Sequence, residues 1–264
     1  MKKTLIDHLN RMVTFSYPPK RMISLCPSIT ETLFELDLEE RIVGRTSFCI
    51  HPKEKVNGVK VIGGTKKVNK DQIDLLAPDL IIAEKEENPR ELVEGLAKKY
   101  PVFVFDVENI EDALIMIKKL GEITDQSVLA SKMVQEIELK YSNLPMVRKM
   151  KAAYIIWKDP FMSAGNHTFI HSVLEKIGFE NVFKNYPGRY PIFTLEDLQK
   201  ESPDLVFLTS EPYPFNEKHQ AEFRQILRYS KIMLVDGESF IWYGSRMIKS
   251  ADYLTKLVEE ISSS

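Results

Sequence analysis

The sequence has few glycines and lacks the common catalytic motifs. Only 11 of its 264 residues are glycine, and it contains no G-x-S-x-G, G-x-x-x-x-G-K, H-E-x-x-H or G-x-G-x-x-G motif. These absences argue against the familiar nucleophilic, phosphate-binding and zinc-hydrolase sites. An enzyme remains a remote alternative, in which an acid such as Glu238 works with a histidine in acid–base or metal-dependent chemistry. We therefore predict a protein that is not an enzyme.

Cysteine, charge of one sign and long apolar runs are also scarce. Two cysteines, Cys26 and Cys49, can form at most one bridge, so this is not a disulfide-stapled domain. A net charge of −2, from 36 Lys and Arg against 38 Asp and Glu, gives no basic field for nucleic acid. No run approaches the roughly 20 apolar residues of a membrane-spanning helix. We expect a local, shaped binding site.

The first residues do not have the pattern of an export signal. Lys2 and Lys3 are basic, but Asp7, Asn10 and Arg11 interrupt the apolar segment before it reaches about seven residues. As written, the sequence predicts a cytoplasmic protein.

The residues that are present give the composition of a folded α/β protein. Hydrophobic residues make up 44% and charged residues 28% of 264 residues, enough for two lobes or one large domain. Apolar strand-like runs alternate with segments of helical period, which is typical of parallel sheets with crossover helices. Strands are predicted at 22–26, 59–62, 80–83, 102–105, 152–157, 205–209 and 232–235, and helices near 89–99, 168–178, 216–229 and 246–261.

The first predicted strand leads directly into a helix. Pro27 follows the strand, and Ser28-Ile29-Thr30-Glu31 has the S-x-x-E form of a capping box. The spacing predicts that Ser28 caps the helix and that Glu31 reaches back to it.

One stretch interrupts the alternation of strands and helices. Between residues 109 and 143 there is no proline and one glycine, Gly121, while apolar residues recur at helical spacing. This predicts one long helix of about 45 Å, bent near 121–125, that joins two lobes. The predicted organisation is an N-terminal extension at 1–20, an N-terminal α/β lobe at 21–106, a linking backbone helix at 107–145 and a C-terminal α/β lobe at 146–264.

A sequence repeat favours two related lobes. Residues 71–82 resemble residues 196–207 position by position, and in each an acid, Asp71 or Glu196, lies seven residues before the proline of Pro-Asp-Leu. The alternative is coincidence, because proline ends helices and aspartate favours turns in many α/β proteins. The agreement of acid, spacing and following strand favours the repeat.

Six short motifs occur in order along residues 20–262. They are RMISLCPSITE at 21–31, VG at 43–44, PDLI at 78–81, DP to AG across 159–165, ENVF at 180–183 and SPDL at 202–205. Together they resemble the helical-backbone class of periplasmic binding proteins of ABC transporters, in particular those for cobalamin and iron-siderophores. The resemblance implies an α/β fold of two lobes with central, mostly parallel sheets, joined by one long rigid helix, with the ligand in a cleft between the lobes.

The resemblance also implies a role for the repeated acids. In this family one surface glutamate per lobe docks on the transporter's membrane subunits, and the matching residues here are Asp71 and Glu196. Two separated charges on a rigid body set orientation and approach. The alternative is that each acid only complements a helix dipole, worth about 0.3–1 kcal/mol.

The resemblance further implies which residues contact the ligand. Phe48, Met162 and Tyr190 match aromatic cleft positions of cobalamin binders, and Thr65 stands where a tryptophan can occur. Glu238 and Trp242 fall near a family aspartate and arginine. The alternative for Phe48 and Tyr190 is ordinary packing within the lobes.

A second set of candidates comes from the segment 240–246. Four large apolar residues crowd a predicted loop there, and loops usually stay polar unless they bind something or pack on the core. Trp242 and Tyr243 are therefore candidate ligand contacts. Arg246 is a candidate partner for an anionic ligand group.

Metal ligation by side chains is a weaker hypothesis. His167 and His171 are four residues apart, and Cys49 and His51 form a second pair. Each pair alone is weak, since isolated histidines are mostly surface or hydrogen-bonded residues. We predict no intrinsic metal or cofactor.

These observations predict a monomeric substrate-binding protein that captures a metal chelate and delivers it to an ABC importer. The expected ligand is a cobalamin-like corrinoid, haem or a ferric siderophore, and the expected partners are the transporter's membrane subunits. The resemblance implies a periplasmic or extracytoplasmic location, which conflicts with the N-terminal pattern. The alternative is a cytoplasmic carrier or sensor of a tetrapyrrole or metal chelate.

Overall fold

The structure, a computed structural model, describes residues 1–263 and divides the chain into two compact units. Unit 1 comprises Met1–Val107, Glu111–Glu136 and Tyr243–Arg246. Unit 2 comprises Glu108–Ile110, Ile137–Trp242 and the segment from Met247 onward. Each unit is built on its own sheet, as the α/β fold class predicts.

The sheet of unit 1 contains five parallel strands. Their order across the sheet is β5, β4, β3, β6, β7. Three of these strands, the inner strands β3 and β6 and the edge strand β7, are buried along their whole length. This is expected where helices cover both faces of a parallel sheet. The strands are β3 (Met22–Ser24), β4 (Ile42–Arg45), β5 (Lys60–Val61), β6 (Leu80–Glu84) and β7 (Val102–Phe105).

A hairpin of β1 (Lys2–Ile6) and β2 (Met12–Ser16) precedes this sheet, in a region for which the sequence predicted no strand. Asp7 holds its turn, because one carboxylate oxygen accepts from the N–H of Leu9 at 3.0 Å and of Arg11 at 2.9 Å. The Arg11 guanidinium binds the other oxygen at 2.6 Å. The N–H of His8 donates to the carbonyl of Val104 at 3.1 Å, so the hairpin belongs to unit 1.

The sheet of unit 2 repeats this plan. Parallel strands lie in the order β10, β8, β11, β12, and β9 pairs antiparallel with β8. The strands are β8 (Met150–Trp157), β9 (Met162–Ser163), β10 (Phe179–Asn181), β11 (Leu205–Thr209) and β12 (Lys231–Val235).

Eleven α-helices lie within residues 1–263. Short 3-10 turns at Glu39–Arg41 and Gly244–Arg246 add to them. The helices are α1 (Pro27–Glu35), α2 (Lys53–Val56), α3 (Lys70–Leu76), α4 (Arg90–Ala97), α5 (Ile110–Thr124), α6 (Ser127–Ser142), α7 (Phe169–Lys176), α8 (Leu195–Glu201), α9 (Glu217–Ile226), α10 (Glu238–Ile241) and α11 (Met247–Ser262). None of them, within the described chain, is both long and apolar enough to span a bilayer.

The stretch predicted as one long helix is two helices, α5 and α6. Asp125 between them has a φ of 65°, which interrupts the right-handed helix where the bend was expected. A Cβ on Gly121 would lie 2.5 Å from the Cβ of Ala130, so the glycine permits the two helices to approach closely. The chain passes from unit 1 to unit 2 within α6.

The predicted capping box at the start of α1 is wrong. The helix begins at Pro27, with Cys26 as the N-cap residue and no side-chain cap, so Ser28 already lies inside the first turn. Proline suits this first position because its missing N–H would have no partner inside the helix. The Glu31 carboxylate is therefore available for a different contact, described below.

The sequence repeat is confirmed as a structural repeat. Helices α3 and α8 each have seven residues and a side-chain N-cap, Asn69 or Thr194. Each ends at a left-handed residue, Ala77 with a φ of 42° or Ser202 with a φ of 47°. Each is followed by Pro-Asp and then by an inner strand of its sheet.

Candidate ligand-binding site

Phe48 lies in a loop at the carboxyl end of the unit 1 sheet. Strand β4 ends at Arg45, and the Phe48 side chain that follows is 60% exposed. Its ring is 3.3 Å from the point that a Cβ on Gly64 would occupy, so the missing side chain at residue 64 leaves room for the ring. An exposed aromatic at this edge is notable, because open α/β sheets bind ligands outside the carboxyl ends of their strands.

Asn88 ties three strand-end loops of unit 1 together. Its Nδ2 donates to the carbonyl oxygens of Leu25 at 3.2 Å and Thr65 at 3.0 Å. Its Oδ1 accepts from the N–H of Glu84 at 2.9 Å. Thr65, a predicted ligand contact, is 6% exposed, and its hydroxyl bonds to Glu87. The structure thus places Thr65 inside a fixed wall of this edge.

Glu84, the last residue of β6, was not predicted from the sequence as a site residue. It is 2% exposed, and its Oε2 accepts from the N–H of Glu86 at 2.8 Å and of Glu87 at 2.9 Å. Its Oε1 has no hydrogen-bond partner within the described chain. Burial raises the pKa of Glu84 to about 7. The sequence feature that could have indicated it is an acid directly after the apolar run 80–83.

Tyr243 and Cys26 lie close to these acids in unit 1. The Tyr243 hydroxyl is 3.4 Å from the Cys26 thiol, and both residues are buried. Burial raises the pKa of Cys26 well above its usual value, and the charges of Glu87 and Glu84 add to the shift. Burial raises the pKa of Tyr243 in the same way. Both groups are therefore neutral at ordinary pH.

Arg246, predicted near an anionic ligand group, forms a bidentate ion pair with Glu31. Its Nε and Nη2 donate to the two carboxylate oxygens at 2.8 and 2.9 Å. Planar, two-point contact of this kind is the strong form of the arginine–carboxylate pair. Gly244 makes the approach possible, since its φ is +82° and a Cβ there would lie 2.2 Å from the Thr32 hydroxyl. The segment 240–246, predicted as a loop, consists largely of α10 and a 3-10 turn.

Met162 and Tyr190 lie on adjoining segments of unit 2. Met162 forms an isolated bridge with Ile192, and both Met162 and Tyr190 are half-buried. Trp157, opposite Met162 in the β8–β9 pair, is 40% exposed and meets the Tyr213 ring edge-on at 5.6 Å. Trp157 was not predicted from the sequence as a site residue, although its place at the end of the predicted strand 152–157 could have indicated it.

Glu238 and Trp242 lie after β12 in the same unit. Glu238 is half-buried at the start of α10, where its N–H donates to Asp236 Oδ1 at 3.3 Å. Trp242 is 7% exposed, and its Nε1 donates to Glu211 Oε1 at 2.8 Å. The indole is thus held in place by a partly buried hydrogen bond.

Asp71 and Glu196 occupy the same position in two equivalent helices. Each is the second residue of its helix, α3 or α8, and each is exposed. The cap residues Asn69 and Thr194 satisfy N–H groups of the first turn, at Gln72 and Asp197 respectively. Neither acid is needed as a cap, which leaves both carboxylates on the surface of their units.

The histidine candidates for metal ligation have other partners. His171 is 8% exposed, its Nδ1 lies 3.3 Å from the Asn181 amide, and burial lowers its pKa. His167 is exposed and lies 3.4 Å from Glu108.

The second metal candidate pair lies in unit 1. Cys49 is fully buried, with its sulfur 3.1 Å from both the Thr30 and the Thr46 hydroxyl groups. His51 is half-buried. Across residues 1–263 there is no group of three or more His, Cys, Asp or Glu side chains arranged to hold a metal ion.

Comparison with known proteins identifies relatives over most of the chain. A vitamin B12-binding protein of Vibrio parahaemolyticus is 24% identical over 198 residues, 72% of this chain and 70% of its own. An uncharacterized ABC transporter substrate-binding lipoprotein, YvrC of Bacillus subtilis, is 24% identical over 269 aligned positions, covering 97% of this chain and 85% of its own.

A solved structure shares the fold along almost the whole length. The ABC-type Fe3+-hydroxamate transport protein of Saccharomonospora viridis superposes with a TM-score of 0.75 at 20% identity, covering 98% of each chain. The two relatives found by sequence are named as binding proteins, which confirms the prediction of a binding rather than a catalytic role. The model of the family described as periplasmic binding protein matches residues 22–232, and the chain therefore belongs to the periplasmic binding protein family of ABC transporters.

Proposed function

We propose that the chain captures a metal chelate and delivers it to an ABC importer. The observation that carries this proposal is the pair Asp71 and Glu196, two exposed acids at the same position of equivalent helices in the two units. Charges fixed on rigid elements set the orientation of a partner more than its raw affinity. Membership of the periplasmic binding protein family supports the same role.

We further propose that the ligand is a cobalamin-like corrinoid or a ferric siderophore, with haem as a third candidate. The exposed Phe48 ring and the half-buried Met162 and Tyr190 suit a large, flat and partly apolar ligand. Trp157, 40% exposed, is added to this set. A relative named as a vitamin B12-binding protein and a fold neighbour from an Fe3+-hydroxamate transport system support this class.

The remaining predicted residues are proposed in a different role. Thr65, Trp242 and Tyr243 are almost fully buried, and Arg246 is engaged with Glu31. We propose that these four shape and stiffen the strand-end loops that contact the ligand. Glu238 is proposed as a polar contact, since it is only half-buried.

Ligand titration tests the proposed ligand class. The chain has two tryptophans, Trp157 and Trp242, and only the first is appreciably exposed. We expect saturable quenching by cobalamin, hemin or a ferric hydroxamate siderophore, and we expect Trp242→Phe to retain that quenching. Phe48→Ala should weaken binding about tenfold, because an aromatic wall is worth on the order of 1 kcal/mol or more.

A fully exposed aromatic residue of unit 2, Tyr229, supplies the matched control. Tyr229→Ala should bind the ligand as the original chain does. Absence of binding to all three chelates would eliminate the proposed ligand class.

Uptake tests delivery separately from capture. In cells that carry the chain and its importer, Asp71→Lys with Glu196→Lys should abolish uptake while the dissociation constant of the ligand stays unchanged. The control is Glu91→Lys with Glu217→Lys, which reverses two exposed first-turn acids on α4 and α9. Uptake that survives the first pair of changes would refute docking through these acids.

A further inference from the structure

Unit 2 contains a groove away from the strand-end loops described above. Its volume is about 690 Å³, and it runs along β12 between α9 on one side and α11 on the other. All of its lining residues belong to unit 2. The proposed ligand contacts do not line it, so the groove is not part of that site.

The floor of the groove is the free edge of a strand. β12 lies at the end of the sheet order and pairs only with β11 among the described strands. Lys231 N–H donates to the carbonyl of Asp204 and the carbonyl of Val235 accepts from Ser210, so these alternate residues face β11. The backbone groups of Ile232 and Leu234 therefore point into the groove, since strand residues alternate in direction.

At the two ends of this edge, side chains already form hydrogen bonds with the outward-facing backbone groups. Gln220 Nε2 from α9 donates to the carbonyl of Ile232 at 2.7 Å, and the Tyr253 hydroxyl from α11 accepts from the N–H of Asp236 at 3.0 Å. The central groups, the N–H of Ile232 and both the N–H and C=O of Leu234, are left for an incoming chain. Leu234 is also 36% exposed, which gives the edge an apolar contact.

The rim of the groove carries unpaired positive charge. Arg224 and Arg228 line it from the α9 side and Lys256 from α11, and all three are exposed. Lys231 is a fourth cation in the lining, against a single acid, Glu260. None of the three forms an ion pair or a hydrogen bond with the described part of the chain. The whole chain has a net charge of −2, so this concentration of cations is local. Unpaired cations around a concave surface attract an acidic partner.

We propose that this groove binds an acidic peptide segment of a partner protein in extended conformation, added to β12 as a further strand. Strand addition uses the free N–H and C=O groups of a sheet edge for affinity and side-chain contacts for specificity. The alternating donor and acceptor of Leu234 match a peptide backbone, whereas a phosphate ion would use only the donors. The flanking arginines and lysine select acidic side chains on the added strand.

Fluorescence anisotropy with a synthetic peptide tests the proposal. The probe is a labelled peptide of alternating glutamate and valine, and we expect saturable binding that weakens as salt is raised. Arg224→Glu with Arg228→Glu should reduce affinity about tenfold or more. Lys256→Glu, on the opposite rim, should act in the same direction. Arg148→Glu with Lys218→Glu, two exposed cations of unit 2 outside the groove, should leave binding unchanged.

Four further probes distinguish strand addition by an acidic peptide from other kinds of binding. A peptide with lysine in place of glutamate, and a glutamate peptide N-methylated at alternate amides, should both fail to bind. Equal binding of either peptide would overturn strand addition by an acidic segment. The proposal would also be overturned if the glutamate–valine peptide did not bind at all. The same holds if inorganic phosphate or phosphatidylglycerol vesicles bound through these arginines while the peptide did not bind.

Discussion

The two units share a backbone plan but differ at the ends of their strands. In unit 1 the order β4, β3, β6, β7 corresponds to β10, β8, β11, β12 in unit 2, and α3 corresponds to α8. The equivalent aspartates Asp79 and Asp204 both accept backbone N–H groups from the start of the central strand, at Arg21 and Lys151. The repeated sequence therefore encodes a repeated junction between helix and strand.

The fifth residue of the strand after this junction shows how the units diverge. In unit 2 it is Thr209, whose hydroxyl accepts from Tyr154 at 3.1 Å and donates to the carbonyl of Glu211 at 2.8 Å. In unit 1 it is Glu84, a buried acid with one oxygen unpaired and a pKa of about 7. The junction of helix and strand has the same Pro-Asp residues in both units. The residue at the end of the strand, where the ligand is expected, can differ between the units in charge and hydrogen bonding.

The largest expected difference concerns the pair between Glu31 and Arg246 in unit 1. Arg246→Met leaves Glu31, whose side chain is 3% exposed, without its partner. We expect a loss of about 3–5 kcal/mol in unfolding free energy, because an uncompensated buried charge is costly. Adding Glu31→Gln should recover part of that loss. Urea unfolding, with hydrogen exchange in β3 and β6 to identify unit 1, measures the effect.

The matched control is an exposed ion pair in unit 2. Lys140 and Asp252 are 30% and 67% exposed, and Lys140→Met should cost less than about 1 kcal/mol. Equal costs for Arg246→Met and Lys140→Met would contradict the distinction between the two pairs.

The second expected difference is the pH dependence contributed by Glu84. Burial raises its pKa from 4.5 to about 7, so the folded protein binds this proton more tightly than the unfolded chain. The carboxyl therefore stabilises the fold below its ordinary pKa, and that stability is lost as the pH rises through about 7. Between pH ~4 and ~8 the original chain should lose about 3 kcal/mol relative to Glu84→Gln.

The equivalent substitution in unit 2 is Thr209→Val. It breaks three hydrogen bonds of a neutral hydroxyl, to Tyr154 and to the carbonyl and N–H of Glu211, so its cost should not change with pH. Melting temperatures across the pH range compare the variants. A constant difference between the original chain and Glu84→Gln would show that Glu84 does not titrate differently on unfolding.

A smaller difference is expected at the repeated aspartates. Asp79 accepts the N–H groups of Lys20 at 2.7 Å and Arg21 at 3.0 Å, whereas Asp204 accepts that of Lys151 at 2.7 Å. Asp79→Ala should cost about 2 kcal/mol and Asp204→Ala about 1 kcal/mol in unfolding free energy. A larger cost at Asp204 would mean that the junctions are not held in the same way.

The smallest effect on stability is expected at Asp71 and Glu196. Asp71→Asn and Glu196→Gln should each change the unfolding free energy by less than about 1 kcal/mol, since only a helix-dipole interaction is lost. Thr194→Ala, which removes a true cap of α8, should cost about 1 kcal/mol. A cost at Glu196 as large as that at Thr194 would indicate that the acid is needed for folding.

The α/β fold was predictable because its strands are buried apolar runs separated by helical periodicity. The strands 102–105 and 205–209 were located to the residue. The hairpin β1–β2 was missed because it alternates exposed and buried residues in a polar context and is stabilised by a buried carboxylate, Asp7, that no local pattern marks. The local pattern was also misleading at Ser28, which has the form of a capping residue but lies within the first turn of a helix that begins at Pro27.

The site was less predictable than the fold because long-range partners decide it. Arg246 looked available for an anion, yet its partner Glu31 lies 215 residues away in sequence. Glu84 directly follows the predicted strand 80–83 and was not singled out, because its burial depends on loops that Asn88 brings together. The equivalence of Asp71 and Glu196 could be read from sequence, because the repeat that places them is local.

The contribution of Tyr243–Arg246 to unit 1 has a consequence for how the protein is synthesised. Chains fold domain by domain as they leave the ribosome, N-terminal parts first. Unit 1, however, includes four residues that follow Ile137–Trp242 of unit 2. Unit 1, whose first residues are translated first, is therefore completed only after Ile137–Trp242 of unit 2 has been made, and until Arg246 emerges the Glu31 carboxylate lacks its guanidinium partner.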